Sequence, residues 1–227
     1  AKILRELGVE VCAYTLSIGP VSINRDLFDF EEIQNNALFM PDAAAAKEAS
    51  AYLEKCMSEK NSAGGMIECK ITGVPAGIGE PVFEKLNANL GKAILSIGAV
   101  KSFEIGDGIR VASSDGLHNN DAYRMDNEGN VWKKTNHSGG ITGGLSDGTP
   151  IIIRAAFKPT PSIASIQESV TRSGEELDIS IKGRHDPIIV PRAVVVVESM
   201  AALTILDSML ASMTSRIDRI KTFFEKL

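Results

Sequence analysis

Cysteine, aromatic residues and a charge excess of either sign are all scarce in this sequence. Its three cysteines, Cys12, Cys56 and Cys69, stand far apart with no CxxC pair, which argues against a disulfide framework or a cysteine-based zinc site. Aromatics make up 5%, and 24 Lys and Arg face 29 Asp and Glu, for a net charge of −5. An acidic chain with few stacking side chains is a poor nucleic-acid binder. No long hydrophobic run is present: Ala193–Val197 is closed by Glu198, and the stretch from Pro191 to Met213 carries Arg192, Glu198 and Asp207. That stretch therefore reads as a buried amphipathic helix and not as a membrane span. There is no H-x-x-x-H, H-E-x-x-H or acidic calcium loop, so no metal site is expected, and no G-x-S-x-G or Cys–His arrangement offers a covalent nucleophile. The chain also lacks an initiator Met and a signal peptide. It opens as the last two turns of a helix, Ala1–Leu7, stopped by Gly8, as though something precedes it.

What is there is core material. Of the 227 residues, 44% are hydrophobic, which fits one large domain or two small ones in a reducing cytosol and disfavours disorder. Val9–Ile18 reads as a strand ending at Gly19-Pro20, and residues 21–41 as a loop with short local structure. Asp42 caps a helix from Ala43 to about Glu59. Met66–Thr72 alternates Met66, Glu68 and Lys70 with Ile67, Cys69 and Ile71, as a strand does. The glycine-rich turn 73–79 leads to a helix expected over Pro81–Ile97, with Val82, Phe83, Leu86, Leu90, Ala93, Ile94 and Ile97 on its apolar face. Strands follow at Val100–Ile105, Pro150–Phe157 and Leu177–Ile181, then the long helix from Pro191 and a charged amphipathic tail. Residues 113–135 are polar and read as a flap. Without a regular βαβ repeat the class is α+β, with 1–227 as a single domain.

Three segments at strand ends carry the residue types of a ligand site. Gly139-Gly140-Ile141-Thr142-Gly143-Gly144 lets backbone approach an anion, although its spacing is neither GxGxxG nor a P-loop and paired glycines commonly make tight turns. Lys158-Pro159-Thr160-Pro161-Ser162 offers a cation and two hydroxyls on a stiff backbone; an edge turn with an exposed Lys is its plain alternative. Gly183-Arg184-His185-Asp186-Pro187 offers an anion clamp, an imidazole and a carboxylate, against the alternative of a solvated turn. His118 is expected at the surface of the flap, and His137 beside the glycine pairs.

Taken together, 136–144, 154–163 and 183–187 with Pro191-Arg192-Ala193-Val194 resemble chorismate synthase. So do Gly77-Ile78-Gly79-Glu80-Pro81-Val82-Phe83 and Val100–Gly108. The resemblance runs in order along the whole chain. It implies a β-α-β sandwich with helices packed between antiparallel sheets, and conversion of 5-enolpyruvylshikimate 3-phosphate to chorismate by 1,4-anti elimination of phosphate and a C6 hydrogen, with reduced FMN as cofactor. It places flavin contacts on Gly98, Ala99, Gly143, Lys158, Pro159, Thr160, Pro161, Ser162 and Arg184, and an acidic residue that assists C6 deprotonation on Asp186. His185 is expected to be structural at most. It further implies a cytoplasmic homotetramer, a dimer of dimers, with no nucleic-acid or membrane partner. Val195 departs from the Pro that many relatives carry. The family's Ser-His-Gly and Arg-Ser-Ser-Ala-Arg-Glu-Thr segments are absent, so this polypeptide alone is expected to have little synthase activity. The competing readings are a non-catalytic fold or assembly fragment and a generic phosphate-binding module.

Overall fold

A computed structural model describes residues 1–181, 183 and 186–226; Lys182, Arg184, His185 and Leu227 lie outside the described residues. Helix α1 (Lys2–Glu6) turns through left-handed Gly8 (φ +74°) into strand β1 (Glu10–Ile18), and β2 (Val21–Ser22) folds back on the end of β1. Helix α2 (Glu32–Asn35) sits within the loop that follows. Helix α3 (Ala43–Ser58) starts where the Asp42 carboxylate accepts the N–H groups of Ala44 and Ala45 at 3.0 and 3.1 Å. Next come β3 (Gly65–Thr72), α4 (Leu86–Leu95) and β4 (Val100–Ile105). The flap holds α5 (Gly116–Asn119) and the hairpin β5 (Tyr123–Met125) and β6 (Val131–Lys133). A tight hairpin, β7 (Ile141–Thr142) and β8 (Leu145–Ser146), precedes β9 (Ile151–Phe157). Hairpin β10 (Gln167–Val170) and β11 (Glu176–Ile179), then α6 (Val190–Met213) and α7 (Ile217–Phe224), complete the chain.

Five strands form one antiparallel sheet in the order β2-β1-β3-β9-β4. The period-2 pattern assigns its faces. Ala13, Cys69 and Ile153 lie in one cross-strand row and face α4 and α6, which pack on the sheet and on each other. The neighbouring row, Tyr14, Glu68, Arg154 and Glu104, faces the other way. Glu68 is 1% exposed there, yet it is fully partnered. Arg25 binds both its oxygens at 2.9 and 2.7 Å, Arg154 Nε donates at 2.6 Å, and the Tyr14 hydroxyl donates to Oε1. Burial alone pushes this carboxyl up, but the Arg25 and Tyr14 hydrogen bonds and the Arg154 charge hold it below the usual range. The network ties the 25–27 turn to the sheet and fixes the register of β3 on β9.

The α+β class is observed, and most expected elements fall within a residue or two of their expected bounds. The clearest correction is α4, which begins at Leu86 and not at Pro81. Val82 sits at φ +59° in a short 3-10 turn, a left-handed conformation that a β-branched residue adopts only when the surrounding chain imposes it. Val82 and Phe83 are consequently 66% and 87% exposed and do not join the apolar face of Leu86, Leu90 and Ile94. Strand β10 was not anticipated, because Gln167–Val170 has little apolar content. Helix α6 buries Val190, Val194, Val197, Ala201 and Ile205 along one stripe and exposes Val196, Leu203, Leu210 and Met213 along the opposite one. By length and composition α6 is apolar enough to cross a membrane, but its buried stripe lies on β1 and β3.

Candidate functional site

At the end of β9 the chain makes the stiff turn 158–162, and three other segments converge on it. The turn before β4 is one: the Lys158 N–H donates to the Ala99 carbonyl at 3.0 Å, and Ala99 holds φ +70°. The segment after α3 is the second, with Ser62 Oγ donating to the Thr160 carbonyl at 2.7 Å. The stretch before α6 is the third, the Ala63 N–H donating to the Pro187 carbonyl at 2.8 Å. Where the last two of these segments meet Ser162 lies a cavity of about 250 Å³ lined in part by Lys60, Ser62, Ser162, Gly183 and Asp186. The expected residues Gly98, Ala99, Lys158, Pro159, Thr160, Pro161, Ser162 and Asp186 are thus gathered at one end of the sheet. Arg184 and His185 fall outside the described residues.

Polar capacity at this end is open. Among the described residues Lys158 has no ion pair and the buried Thr160 hydroxyl has no hydrogen-bond partner. A buried hydroxyl left unpaired costs about 1–3 kcal/mol, so Thr160 has hydrogen-bonding capacity to offer a partner. Asp186 is clasped by Arg192 of α6, with Nη1 on Oδ2 at 2.5 Å and Nη2 on Oδ1 at 3.2 Å, which fixes the carboxylate while leaving it 41% exposed. Lys60 and Ser62 escaped the sequence reading, since Asn61-Ser62-Ala63-Gly64-Gly65 scans as a helix stop. The pairing of two polar residues with two glycines was the available signal.

Gly143 lies elsewhere. Gly143 and Gly144 (φ +64° and +93°) are the two central residues of the β7–β8 hairpin, the positive-φ pair that a type I′ turn demands. The turn packs against the start of α4, the Leu86 N–H donating to the Gly144 carbonyl at 2.8 Å, and borders a second cavity of about 320 Å³ lined by Lys85, Asn87, Ser138 and Gly143. Lys158 is at the far end of β9, roughly 20 Å away by strand rise. One ligand touching both would have to run the length of α4. His137 Nδ1 donates to Asp107 Oδ2 at 2.7 Å, and His118, bound to Asp115, is exposed as expected. The larger apolar groove between the end of α6 and α7, about 660 Å³, shares none of these residues.

The family model for chorismate synthase matches residues 1–210. The chain belongs to the chorismate synthase family. It is 61% identical over 226 residues to the chorismate synthase of Agathobacter rectalis and 56% identical over 225 residues to that of Lachnospira eligens, covering 100% and 99% of this chain and 61% of each relative. A crystal structure of chorismate synthase superimposes with a TM-score of 0.78 at 25% identity, over 99% of this chain and 64% of the other. The chain therefore spans about three-fifths of the length of the chorismate synthases it matches.

Proposed function

We propose that the protein acts in the chorismate synthase reaction, a carbon–oxygen lyase step in which 5-enolpyruvylshikimate 3-phosphate loses phosphate and a C6 hydrogen to give chorismate. The family membership supports the reaction, and the open polar turn at the end of β9 carries the assignment of this chain's part in it. The donor set there suits FMN: Lys158 for the anionic end, the Thr160 hydroxyl and Ser162 for polar edges, and the exposed backbone of Gly98, with half-buried Ala99 beside it, for close approach. Arg184 completes the proposed contacts at this end, and Gly143 is proposed to meet the far end of the same flavin, roughly 20 Å along β9. Reduced FMN, when bound, supplies electron density that eases departure of the phosphate.

The chain's own residues would do the rest. Asp186, oriented by Arg192, accepts the C6 proton as the C6–H electron pair moves into the ring and the allylic C–O bond breaks, phosphate leaving with that bond's electrons. The prolines flanking Thr160 hold its hydroxyl in place before ligand arrives. A cytoplasmic homotetramer built as a dimer of dimers is part of this proposal.

The test is an anaerobic assay with substrate and chemically reduced FMN, monitoring chorismate formation and phosphate release. Equal release of both, at the low rate expected of this polypeptide alone, with Asp186→Asn at least about 100-fold slower, is the expected outcome. Wild-type rates in Asp186→Asn would remove that residue from the chemistry. Phosphate binding without any effect of flavin would instead favour a generic phosphate-binding module.

A further inference from the structure

The flap and the glycine hairpin are joined by one buried cation. Lys133, the last residue of β6, has a side chain only 4% exposed. Its Nζ donates to Asp147 Oδ2 at 2.6 Å and to Ser138 Oγ at 3.3 Å, lies 3.5 Å from Thr142 Oγ1, and stands 3.9 Å from Asp121 Oδ2. Asp121 and Asp147 are themselves 6% and 10% exposed, and Lys133 is their one ion-pair partner among the described residues. Asp121 lies between α5 and β5 of the flap and accepts the N–H groups of His137 and Ser138 at 2.7 and 3.0 Å. Asp147 closes the glycine hairpin and accepts from Thr142 Oγ1 at 3.1 Å, one residue before Gly143. Two buried carboxylates of like charge would repel without a shared counter-charge, and removing one partner of a buried pair leaves the other uncompensated.

Apart from the Asp121 hydrogen bonds, the flap has little else to hold it among the described residues. Tyr123, Met125 and Val131 of the β5–β6 hairpin are 59%, 71% and 67% exposed, and an isolated two-stranded hairpin is marginal in water. We propose that Lys133 is a positioning residue that welds flap and glycine hairpin into one unit, so that Gly143 keeps its geometry for a ligand only while the flap is down. The inference rests on the proposed flavin contact of Gly143. By linkage, a ligand that fixes the glycine hairpin also fixes the flap.

Amide hydrogen exchange and FMN titration of wild type, Lys133→Met and Lys133→Arg test it. In Lys133→Met, exchange in 123–133 and in 139–147 should rise together by about tenfold while β3 and β9 are unchanged. FMN affinity should fall by roughly threefold to tenfold, and Lys133→Arg should restore most of both. Faster exchange in the flap alone, or a loosened hairpin with unaltered FMN affinity, would overturn the proposal. If Lys133→Met does not fold, Asp147→Asn serves: it cuts the same link from the hairpin end, so exchange in 139–147 should rise and that in 123–133 with it, and a rise in one segment alone would contradict us. Absence of FMN binding in the wild type would refute the flavin reading alone, and the exchange pattern would still decide whether the two segments move as one.

Discussion

The two ends of β9 look alike in sequence, each a Gly- or Pro-rich run with hydroxyls, but they are built in opposite ways. At the start, the polar groups of residues 136–149 are met by one another and by the flap, while Asn87 Oδ1 beside them is buried without a partner among the described residues. Asn136, Asp121, Asp147 and Lys133 consume the polar groups of the hairpin, and glycines are spent on backbone approach. A side chain on Gly139 would collide with the backbone of Gly106, and one on Gly106 with the His137 carbonyl. At the other end, Lys158–Ser162 leaves a buried hydroxyl and a cation without partners in the described chain. Closed polar networks hold shape, whereas open ones wait for ligands. Residue composition does not distinguish the two; the hydrogen bonds do.

The largest break in this contrast should come from Gly139→Ala. Its positive φ and the backbone collision both oppose a Cβ, so a loss of about 3 kcal/mol or more is expected in urea unfolding. Gly143→Ala meets nothing within 4 Å and bears only the cost of φ +64°, about 1–2 kcal/mol, so the difference between the two variants measures packing against backbone strain.

Acid should separate the ends next. Burial pushes Asp121 and Asp147 up, but hydrogen bonds from Ser138, His137 and Thr135 on the first, and from Lys133 and Thr149 on the second, hold both below the usual range. Groups with depressed folded values stabilise above their unfolded value near 4 and lose that contribution as pH falls through the folded value. Flap exchange protection should therefore be flat from about pH 7 to 4.5 and fall below about pH 4, and Asp121→Asn should flatten the fall. The smallest stability effect belongs to Thr160→Val, which removes an unpartnered hydroxyl at nearly constant volume. Stability within about 0.5 kcal/mol of wild type, or slightly higher, is expected, together with weaker ligand binding.

Much of this was legible beforehand. The alternation in Met66–Thr72 and Pro150–Phe157 located the two central strands, and Asp42 located the start of α3, because both signals are local. The start of α4 was not, since left-handed Val82 interrupts a run whose composition suits a helix. The three candidate loops were found as loops, but their separation was invisible: Gly143 and Lys158 are 15 residues apart in sequence and divided by a whole strand in space. Lys60 and Ser62 were missed for the converse reason, being distant in sequence and adjacent in the fold.

The central claim, that the open turn after β9 is a flavin-binding element, is tested most directly by titrating FMN against wild type, Lys158→Ala and Thr160→Val while following flavin fluorescence. Saturable binding in the wild type, weakened roughly tenfold by Lys158→Ala and several-fold by Thr160→Val with unfolding midpoints unchanged, is the predicted result. Equal affinity across all three proteins would contradict it.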